Sequence, residues 1–149
     1  MKPITFNSPI KIHYKSLQNS KILWPIIDTE LSYQNNFMPH SVDALVDSGA
    51  NVSVLHPQVA NYLGFDLKKL GISKPGGISV SSRYKSWILP ESINVKIYGY
   101  DFSFIFTIID SPNQIWGCIL GEDSIFSVAK IDFQKFKNYF ELRFRQVLN

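Results

Sequence analysis

Residues 44–55 (ALVDSGANVSVL) place one carboxylate, one hydroxyl and one glycine between two apolar runs. Asp, Ser and Gly together are typical of a polar surface turn. Apolar flanks on both sides instead indicate that this turn is buried, and a carboxylate is rarely buried unless it is paired or hydrogen-bonded. Gly49 has no Cβ, so a backbone or a ligand can approach it closely, and the hydroxyl of Ser48 can both donate and accept. We therefore expect the rest of the chain to be organised around Asp47.

Two segments carry a resemblance to a known family. Residues 45–50 (LVDSGA) resemble the active-site loop of the aspartic proteases, in which two apolar residues precede Asp, Thr or Ser, Gly, and Ala or Ser. Residues 119–121 (ILG) resemble the apolar-apolar-Gly element that precedes the short helix of retropepsins, the single-lobe, retroviral-type proteases. The two segments have the order and roughly the separation of that family, and the resemblance covers residues 22–142. It is closest to bacterial retropepsin-like proteins, which often carry a strand similar to residues 99–102 (GYDF).

Alternation of apolar and polar residues dominates the rest of the chain, and this period is typical of strands with one buried face. The clearest cases are residues 10–15, 93–98 and 140–145. Abundant Phe, Tyr, Ile and Val with little Ala favours strands, and only residues 57–64 and 123–128 predict short helices. The sequence predicts one all-β domain over residues 1–149, closed or sandwich-like. The resemblance implies a closed β-barrel of the retropepsin-like, single-lobe acid-protease type, with one or two short helices and a flap hairpin.

Residues 74–84 (KPGGISVSSRY) combine Pro, Gly-Gly and several Ser with the apolar Ile78 and Val80. This composition is typical of a solvated hairpin. The resemblance implies a flap instead, which is a hairpin that closes over the substrate. Gly76 and Gly77 would then let the hairpin bend and approach a peptide backbone. The sequence leaves both interpretations open.

Peptide hydrolysis by carboxylates requires two of them in one site. An ionised carboxylate takes a proton from water, and a protonated one polarises the carbonyl group. Like charges a few ångström apart cannot both ionise, so the pair titrates as a unit. This chain offers one suitable Asp, because the nearest other Asp-Ser pairs, at Asp110 and Asp123, lack the glycine. A protease built from it requires a homodimer with Asp47 of each subunit on a two-fold axis, as in retropepsins.

The resemblance also implies roles for individual residues. Asp47 and its mate would hold and activate the water, Ser48 would hydrogen-bond across the dimer axis, and Gly49 would let the loop backbone approach the substrate. Five residues would line the cleft: Ala50, Asn51, Gly76, Gly77 and Ile78. The substrate would be a peptide or protein segment in extended conformation, bound largely through its backbone. No cofactor and no metal are implied.

Two positions depart from the retroviral pattern. There, an Asp commonly follows the Ala of the loop and an Arg follows the apolar-apolar-Gly segment, and the two brace the dimer as an ion pair. Here these positions hold Asn51 and Glu122, which could form a hydrogen bond, so the dimer must be braced differently. The alternating face of Phe140, Leu142 and Phe144 is a candidate interface, and packing of the same face inside one subunit is the alternative.

The remaining reactive side chains predict no second site. His13, His40 and His56 lack metal-ligand spacing and are expected at the surface or as caps. The apolar neighbours of Cys118 indicate a buried, inert thiol. A net charge of +3 with dispersed basic residues gives no case for nucleic acid, and no apolar run could span a bilayer. With no signal-peptide pattern and one cysteine, we expect a cytoplasmic protein.

The leading hypothesis is a homodimeric aspartic endopeptidase. The alternative is a catalytically silent dimerisation or peptide-binding module with the same fold, although a pure scaffold needs no buried carboxylate. A third interpretation, an unrelated β-barrel with a chance Asp-Ser-Gly, is opposed by residues 119–121. Dimerisation separates the first two from the third, and turnover separates the first from the second.

Overall fold

The computed structural model describes residues 3–18, 20–71, 74–76 and 84–146. In chain order the strands are β1 Thr5–Phe6, β2 Ile10–His13, β3 Ile26–Tyr33, β4 Asn36–Phe37, β5 Val42–Val46, β6 Val54–Leu55, β7 Lys74–Gly76, β8 Tyr84–Ile88, β9 Ile93–Ile97, β10 Tyr100–Phe104, β11 Thr107–Asp110, β12 Cys118–Leu120, β13 Ala129–Gln134 and β14 Tyr139–Gln146. The helices are α1 Pro57–Tyr62 and α2 Ile125–Val128, with short 3-10 turns at Leu67–Lys69 and Lys135–Lys137. Neither α-helix has the length or apolar character that a membrane crossing requires.

The smaller sheet is antiparallel and is centred on β14. Strand β13 pairs with one edge of β14, whereas β2 and β1 pair with successive parts of the opposite edge. The side chains of Phe140, Leu142 and Phe144 are at most 1% exposed, because alternation along β14 directs all three into the core. The prediction that this face forms an interface is therefore wrong, and its alternative, packing inside one subunit, is confirmed.

The larger sheet has the strand order β10-β9-β3-β5-β12-β6-β11-β8-β7, with β4 beside β3. Strand β12 inserts between two strands that are neighbours in the chain, parallel to β5 and antiparallel to β6. On its other edge, strand β6 pairs with β11 in parallel, and this pairing continues the sheet. This topology brings the segment after β12 against the loop that joins β5 to β6, so the two predicted motifs meet.

One apolar core lies between the two sheets. It contains Ile12 and Leu142 from the smaller sheet and Val95 and Leu120 from the larger sheet. The aromatic rings of β10 also pack on Phe144 of β14, with ring centroids 4.8 and 4.9 Å apart. The predicted all-β class with two short helices is confirmed. One domain over residues 1–149 stays a prediction.

Candidate active site

Strand β5 delivers Asp47 to one face of the larger sheet. Ala44 and Val46 lie in the main core, whereas Leu45 lies in a separate small cluster on the opposite face. The N–H of Asp47 donates to the carbonyl of Leu120 at 3.0 Å, which continues the pairing of β5 with β12 by one residue. Because side chains alternate along a strand, the carboxylate of Asp47 follows Leu45 on the face away from the main core.

The loop that begins at Asp47 is closed by two hydrogen bonds to that residue. The N–H of Gly49 donates to Oδ1 of Asp47 at 2.9 Å, and the N–H of Ala50 donates to its carbonyl at 3.2 Å. One carboxylate oxygen is therefore held by the backbone of the loop, as in an Asx turn. The orientation of the carboxylate is set locally, by residues next to it in the sequence.

The predicted burial of this loop is wrong for the single subunit. Asp47 is half-buried, and Ser48, Gly49 and Asn51 are exposed. The apolar residues on each side of the loop belong to β5 and β6, and they are buried because these strands lie on the core. The turn between the strands projects from the sheet, so its polar atoms remain accessible.

Gly121 contacts the loop more closely than any other residue type would allow. A Cβ at this position would lie 2.3 Å from the carbonyl oxygen of Ala50. The same carbonyl accepts a hydrogen bond from the N–H of Glu122 at 2.9 Å. Only glycine permits this approach of two backbones, which gives the physical reason for the glycine in the second motif.

A hydrogen-bond network of the buried Ser53 and Ser124 with the exposed Asp123 joins the start of β6 to the start of α2. The hydroxyl of Ser53, which is fully buried, donates to Oδ1 of Asp123 at 2.6 Å and accepts from the N–H of Gly121 at 3.0 Å. The N–H of Ser53 donates to the same Asp123 oxygen at 2.8 Å. The hydroxyl of Ser124 lies within hydrogen-bonding distance of the Ser53 hydroxyl. The network fixes the second motif against the strand that leaves the Asp47 loop.

Sequence analysis did not identify this network. The bond from Ser53 to Asp123 joins residues 70 positions apart, and no local pattern encodes such a partner. The one available signal is the position of Ser53, a polar residue between Val52 and Val54 in an apolar run. A buried hydroxyl in such a run requires a hydrogen-bond partner, although the sequence does not say which residue supplies it.

We expect Asp123→Ala to lower the free energy of unfolding by about 2 kcal/mol, because two donors of Ser53 lose their acceptor. Asp123→Asn is the matched control, since its amide oxygen can still accept from Ser53, and it should lose about half as much or less. Urea unfolding followed by circular dichroism measures both values. Equal losses in the two variants would contradict the role of the network.

Asn51 and Glu122, the two positions that depart from the retroviral pattern, form no hydrogen bond with each other through their side chains. Asn51 and Glu122 are both exposed, and within the described residues their side chains form no mutual hydrogen bond. The backbone bond from Glu122 to Ala50 connects the two segments instead. The suggested side-chain bond is absent from the subunit.

The hairpin of β7 and β8 occupies the place of the predicted flap. Its strands pair antiparallel, and Gly76 lies opposite Tyr84. Strand β8 also pairs with β11, which places the base of the hairpin in the same sheet as β6 and β12. Gly77 and Ile78 lie outside the described residues.

An apolar row crosses the face of the sheet that carries Asp47. Leu45, Ile119 and Val54 are register partners across β5, β12 and β6, and Thr107 and Ile88 extend the row across β11 and β8. Leu45 and Val54 are 8% and 5% exposed, whereas Ile88 is 61% exposed. Leu45 and Val54 are therefore covered within the subunit, and a peptide that crosses this face could contact the half-buried Ile119 and the exposed Ile88.

Aromatic residues extend this face beyond Leu45. Leu45 packs in a cluster with Ile26 and Trp116, against which Trp24 and Ile119 are also packed. The rings of Trp24 and Trp116 meet edge to face, with centroids 5.7 Å apart.

The other reactive side chains form no second site: His13 and His40 are exposed, as predicted. Nδ1 of His56 accepts from the N–H of Gln58 at 3.1 Å, so the capping interpretation is confirmed for this histidine. Cys118 is fully buried, as predicted, and burial raises the pKa of its thiol far above its usual range. Across the described ranges, no three His, Cys, Asp or Glu side chains group closely enough to hold a metal ion.

Comparison with known proteins identifies the fold. No protein-family model and no curated protein matches the chain. A retropepsin-like aspartic protease from Rickettsia conorii is 19% identical, with a TM-score of 0.64 over 99% of this chain and 100% of that chain. The retroviral protease-like domain of Ddi1 from Leishmania major is 20% identical, with a TM-score of 0.55 over 74% of this chain and 82% of that chain. These two structural neighbours are a retropepsin-like aspartic protease and a retroviral protease-like domain, and this chain has the retropepsin-like fold.

Proposed function

We propose that this protein is an aspartic endopeptidase in which Asp47 from each subunit of a homodimer activates one water molecule. The observation that carries the proposal is the state of Asp47 in the single subunit. Its carboxylate is half-buried at the end of β5, and one of its oxygens is held by the N–H of Gly49. A carboxylate that is oriented and still accessible needs only a second carboxylate opposite it to act in acid–base catalysis.

A second copy of the chain is the proposed source of that carboxylate. Asp123 is engaged by Ser53, and Asp110 lies at the far end of β11, so neither is oriented by the loop. An isologous contact places a residue next to its own copy, which is what a two-fold axis at Asp47 provides. Ser48 is exposed and has no hydrogen-bond partner in the described part of the subunit, so its hydroxyl can bond across this axis.

The proposed chemistry uses one proton shared by two carboxylates. Like charges at short distance keep one Asp47 protonated while the other is ionised. The ionised carboxylate removes a proton from water as the oxygen attacks the peptide carbonyl, and the protonated one donates to the carbonyl oxygen. When the tetrahedral intermediate collapses, one carboxyl group donates its proton to the leaving nitrogen and the C–N bond breaks. The other carboxylate removes a proton from a hydroxyl of the intermediate, which forms the new carboxyl product and restores the one shared proton.

The proposed substrate is an extended peptide with apolar side chains near the cleaved bond. The half-buried Ile119 and Trp24 and the exposed Ile88 supply the apolar contacts, because Leu45, Val54 and Trp116 are already covered within the subunit. Ala50 and the exposed Asn51 continue the loop beyond Asp47, which supports their proposed place in the cleft. Gly76, Gly77 and Ile78 would approach the substrate from the β7–β8 hairpin if it acts as a flap. A cytoplasmic location remains part of the proposal.

Cleavage of a complex peptide mixture tests the proposal. We expect the purified protein to cut between about pH 4 and 7, the range suited to a carboxylate pair. Mass spectrometry of the products should show apolar residues flanking the cut positions, because the face beside Asp47 is apolar. Heat-inactivated protein is the control. If a folded dimer made no cuts at any pH, the silent binding module would replace the enzyme as the function.

A further inference from the structure

We propose that this protein binds membrane surfaces rich in anionic lipids through one end of the smaller sheet. We call this surface the hairpin tip. It consists of Lys135–Lys137, in the turn between β13 and β14, and of Lys21–Leu23, in the loop before β3. This inference goes beyond the proposed protease, and it requires neither a catalytic dimer nor a helix that crosses the membrane.

Phe136 is the most exposed large apolar side chain in the described part of the chain. It is 84% exposed at the turn, and the Nζ of the neighbouring Lys137 lies 5.5 Å from the centroid of its ring. In the other loop, Ile22 is 58% exposed and Leu23 is 39% exposed. Single exposed apolar side chains are common, whereas several that lie together mark an interaction surface. The position of the two loops relative to each other therefore decides whether they form one surface.

Two hydrogen bonds bring the loops together. Nζ of Lys135 donates to the carbonyl oxygen of Leu23 at 2.9 Å, across 112 positions of the sequence. The N–H of Tyr14, next to the end of β2, donates to the carbonyl oxygen of Asn138 at 3.1 Å. Nζ of Lys135 also lies 4.4 Å from the centroid of the Tyr14 ring. Phe136 and Leu23 are therefore exposed at the same end of the smaller sheet.

The 3-10 turn at Leu67–Lys69 shows that such exposure is not a property of the turn itself. This turn also contains one apolar residue and two lysines. Leu67, however, is half-buried and packs on the main core, and the carboxylate of Asp66 caps the turn. In the hairpin tip the apolar side chain is exposed instead, and no side chain caps the turn.

The hairpin tip has a local excess of positive charge. Residues 1–27 and 133–140 contain no Asp or Glu, although the chain has 12 of them. The three lysines of the tip form no ion pair with any described residue. The nearest acidic residues on the hairpin, Asp132 and Glu141, are register partners further from the turn. Lysines that are dispersed in the sequence thus gather at one end of the molecule, where they attract an anionic surface.

A bilayer surface fits both properties of the hairpin tip. Phe136 and Ile22 can enter the boundary between headgroups and acyl chains, where apolar side chains leave water. Lysine ammonium groups on flexible stems can remain at the level of the anionic headgroups. A nucleic acid or an acidic protein segment would match the charge but not the exposed aliphatic side chains. Phosphate recognition on nucleic acids also favours arginine, and the tip has none.

The hairpin tip adjoins the face that carries Asp47. Trp24 directly follows Leu23, and it packs against the cluster of Leu45 and Trp116 on that face. The rings of the two tryptophans meet edge to face, with centroids 5.7 Å apart. A membrane-bound molecule would therefore hold the proposed cleft close to the lipid surface.

Co-sedimentation with vesicles tests the proposal. The partition coefficient of the purified protein is measured for vesicles of phosphatidylglycerol and phosphatidylcholine in equal amounts, and for vesicles of phosphatidylcholine alone. We expect it to be at least about tenfold higher for the anionic vesicles, because anionic headgroups attract each lysine near the surface. High salt should weaken the binding, since it screens this attraction.

Phe136→Ser tests the apolar contribution. We expect it to lower the partition coefficient for the anionic vesicles about tenfold, because one large side chain no longer leaves water on binding. Ile105→Ser is the matched control. Ile105 is 53% exposed between β10 and β11 of the larger sheet, and its replacement should leave vesicle binding unchanged. Circular dichroism verifies that both variants are folded.

The double variant Lys21→Glu with Lys137→Glu tests the contribution of charge. We expect its partition coefficient for the anionic vesicles to fall at least about tenfold. Lys68→Glu with Lys69→Glu is the control, because it changes the net charge by the same amount in the other 3-10 turn. It should lower the coefficient less than about twofold, since those lysines lie outside the hairpin tip.

Several results would overturn the proposal. One is equal binding to the two kinds of vesicle, and another is equal loss in the tip variants and their controls. Lysine-dependent binding of a single-stranded oligonucleotide of about 20 nucleotides, without vesicle binding, would assign the tip to nucleic acid. A changed oligomeric state in Phe136→Ser, without vesicle binding, would assign the tip to a second copy. Vesicle binding requires no turnover, so the peptide-mixture assay on the same preparations shows separately whether the protease fails.

Discussion

Asp47→Asn is expected to abolish peptide cleavage without unfolding the protein. The amide oxygen of Asn can still accept from the N–H of Gly49, a bond of 2.9 Å to Asp47 Oδ1, so the loop keeps its geometry. An amide cannot take a proton from water or donate one as an acid, and the substitution changes both members of the pair. We expect a loss of about 10⁴-fold or more in kcat, the upper range for acid–base groups.

Asp110→Asn is the matched control for this variant. It makes the same chemical change at an exposed residue of β11, and it should leave cleavage unchanged. Melting temperatures of the two variants should agree with the wild type within a few degrees, which separates loss of catalysis from loss of fold. Full activity of Asp47→Asn would rule out the proposed mechanism.

Mixing the variant with wild type tests whether two subunits share one site. If both chains dimerise equally, an equal mixture contains about one quarter wild-type homodimer, and activity should fall to about one quarter of that of the unmixed wild type at the same total concentration. A catalytic monomer would retain about half of the activity under the same conditions. A value near one half would therefore exclude the shared carboxylate pair.

Gly121→Ala is expected to lower the free energy of unfolding by about 3 kcal/mol, which is among the larger effects of a single methyl group. The added Cβ would meet the Ala50 carbonyl oxygen at 2.3 Å, and both groups belong to backbone that other bonds hold in place. Relief requires the end of β12 to move away from the loop. That movement would weaken the bond from Glu122 to Ala50 and the bond from Gly121 to Ser53.

Gly49→Ala is the control for Gly121→Ala. A Cβ at Gly49 would lie 3.3 Å from the side-chain oxygen Oδ1 of Asp47, and the loop is exposed there. We expect it to lower stability by less than about 1 kcal/mol. Guanidinium unfolding of the three proteins measures the difference. Similar stabilities for the two variants would contradict the proposed close packing at Gly121.

Local patterns in the sequence predicted most of the elements, and they single out Asp47, on which the proposed site depends. Alternation predicts the strands because one face of each is buried, and this period is a property of the strand itself. The loop from Asp47 to Ala50 is likewise predictable, because its closing bonds join residues that are two or three positions apart. Gly121 is also predictable from a short motif, because the lack of a Cβ is a property of the residue itself and does not depend on distant partners.

Tertiary structure decided which apolar faces were covered and which polar groups were paired. The faces of β13 and β14 both alternate, yet Leu142 is fully buried and Phe133 is not, because β14 has a neighbour on each edge and β13 has one. Ser53 and Asp123 meet only because β12 inserts between β5 and β6. Alternation identifies the face of a strand but not its neighbours, so strand order determined where the core ends, which loop is exposed and which edge remains open.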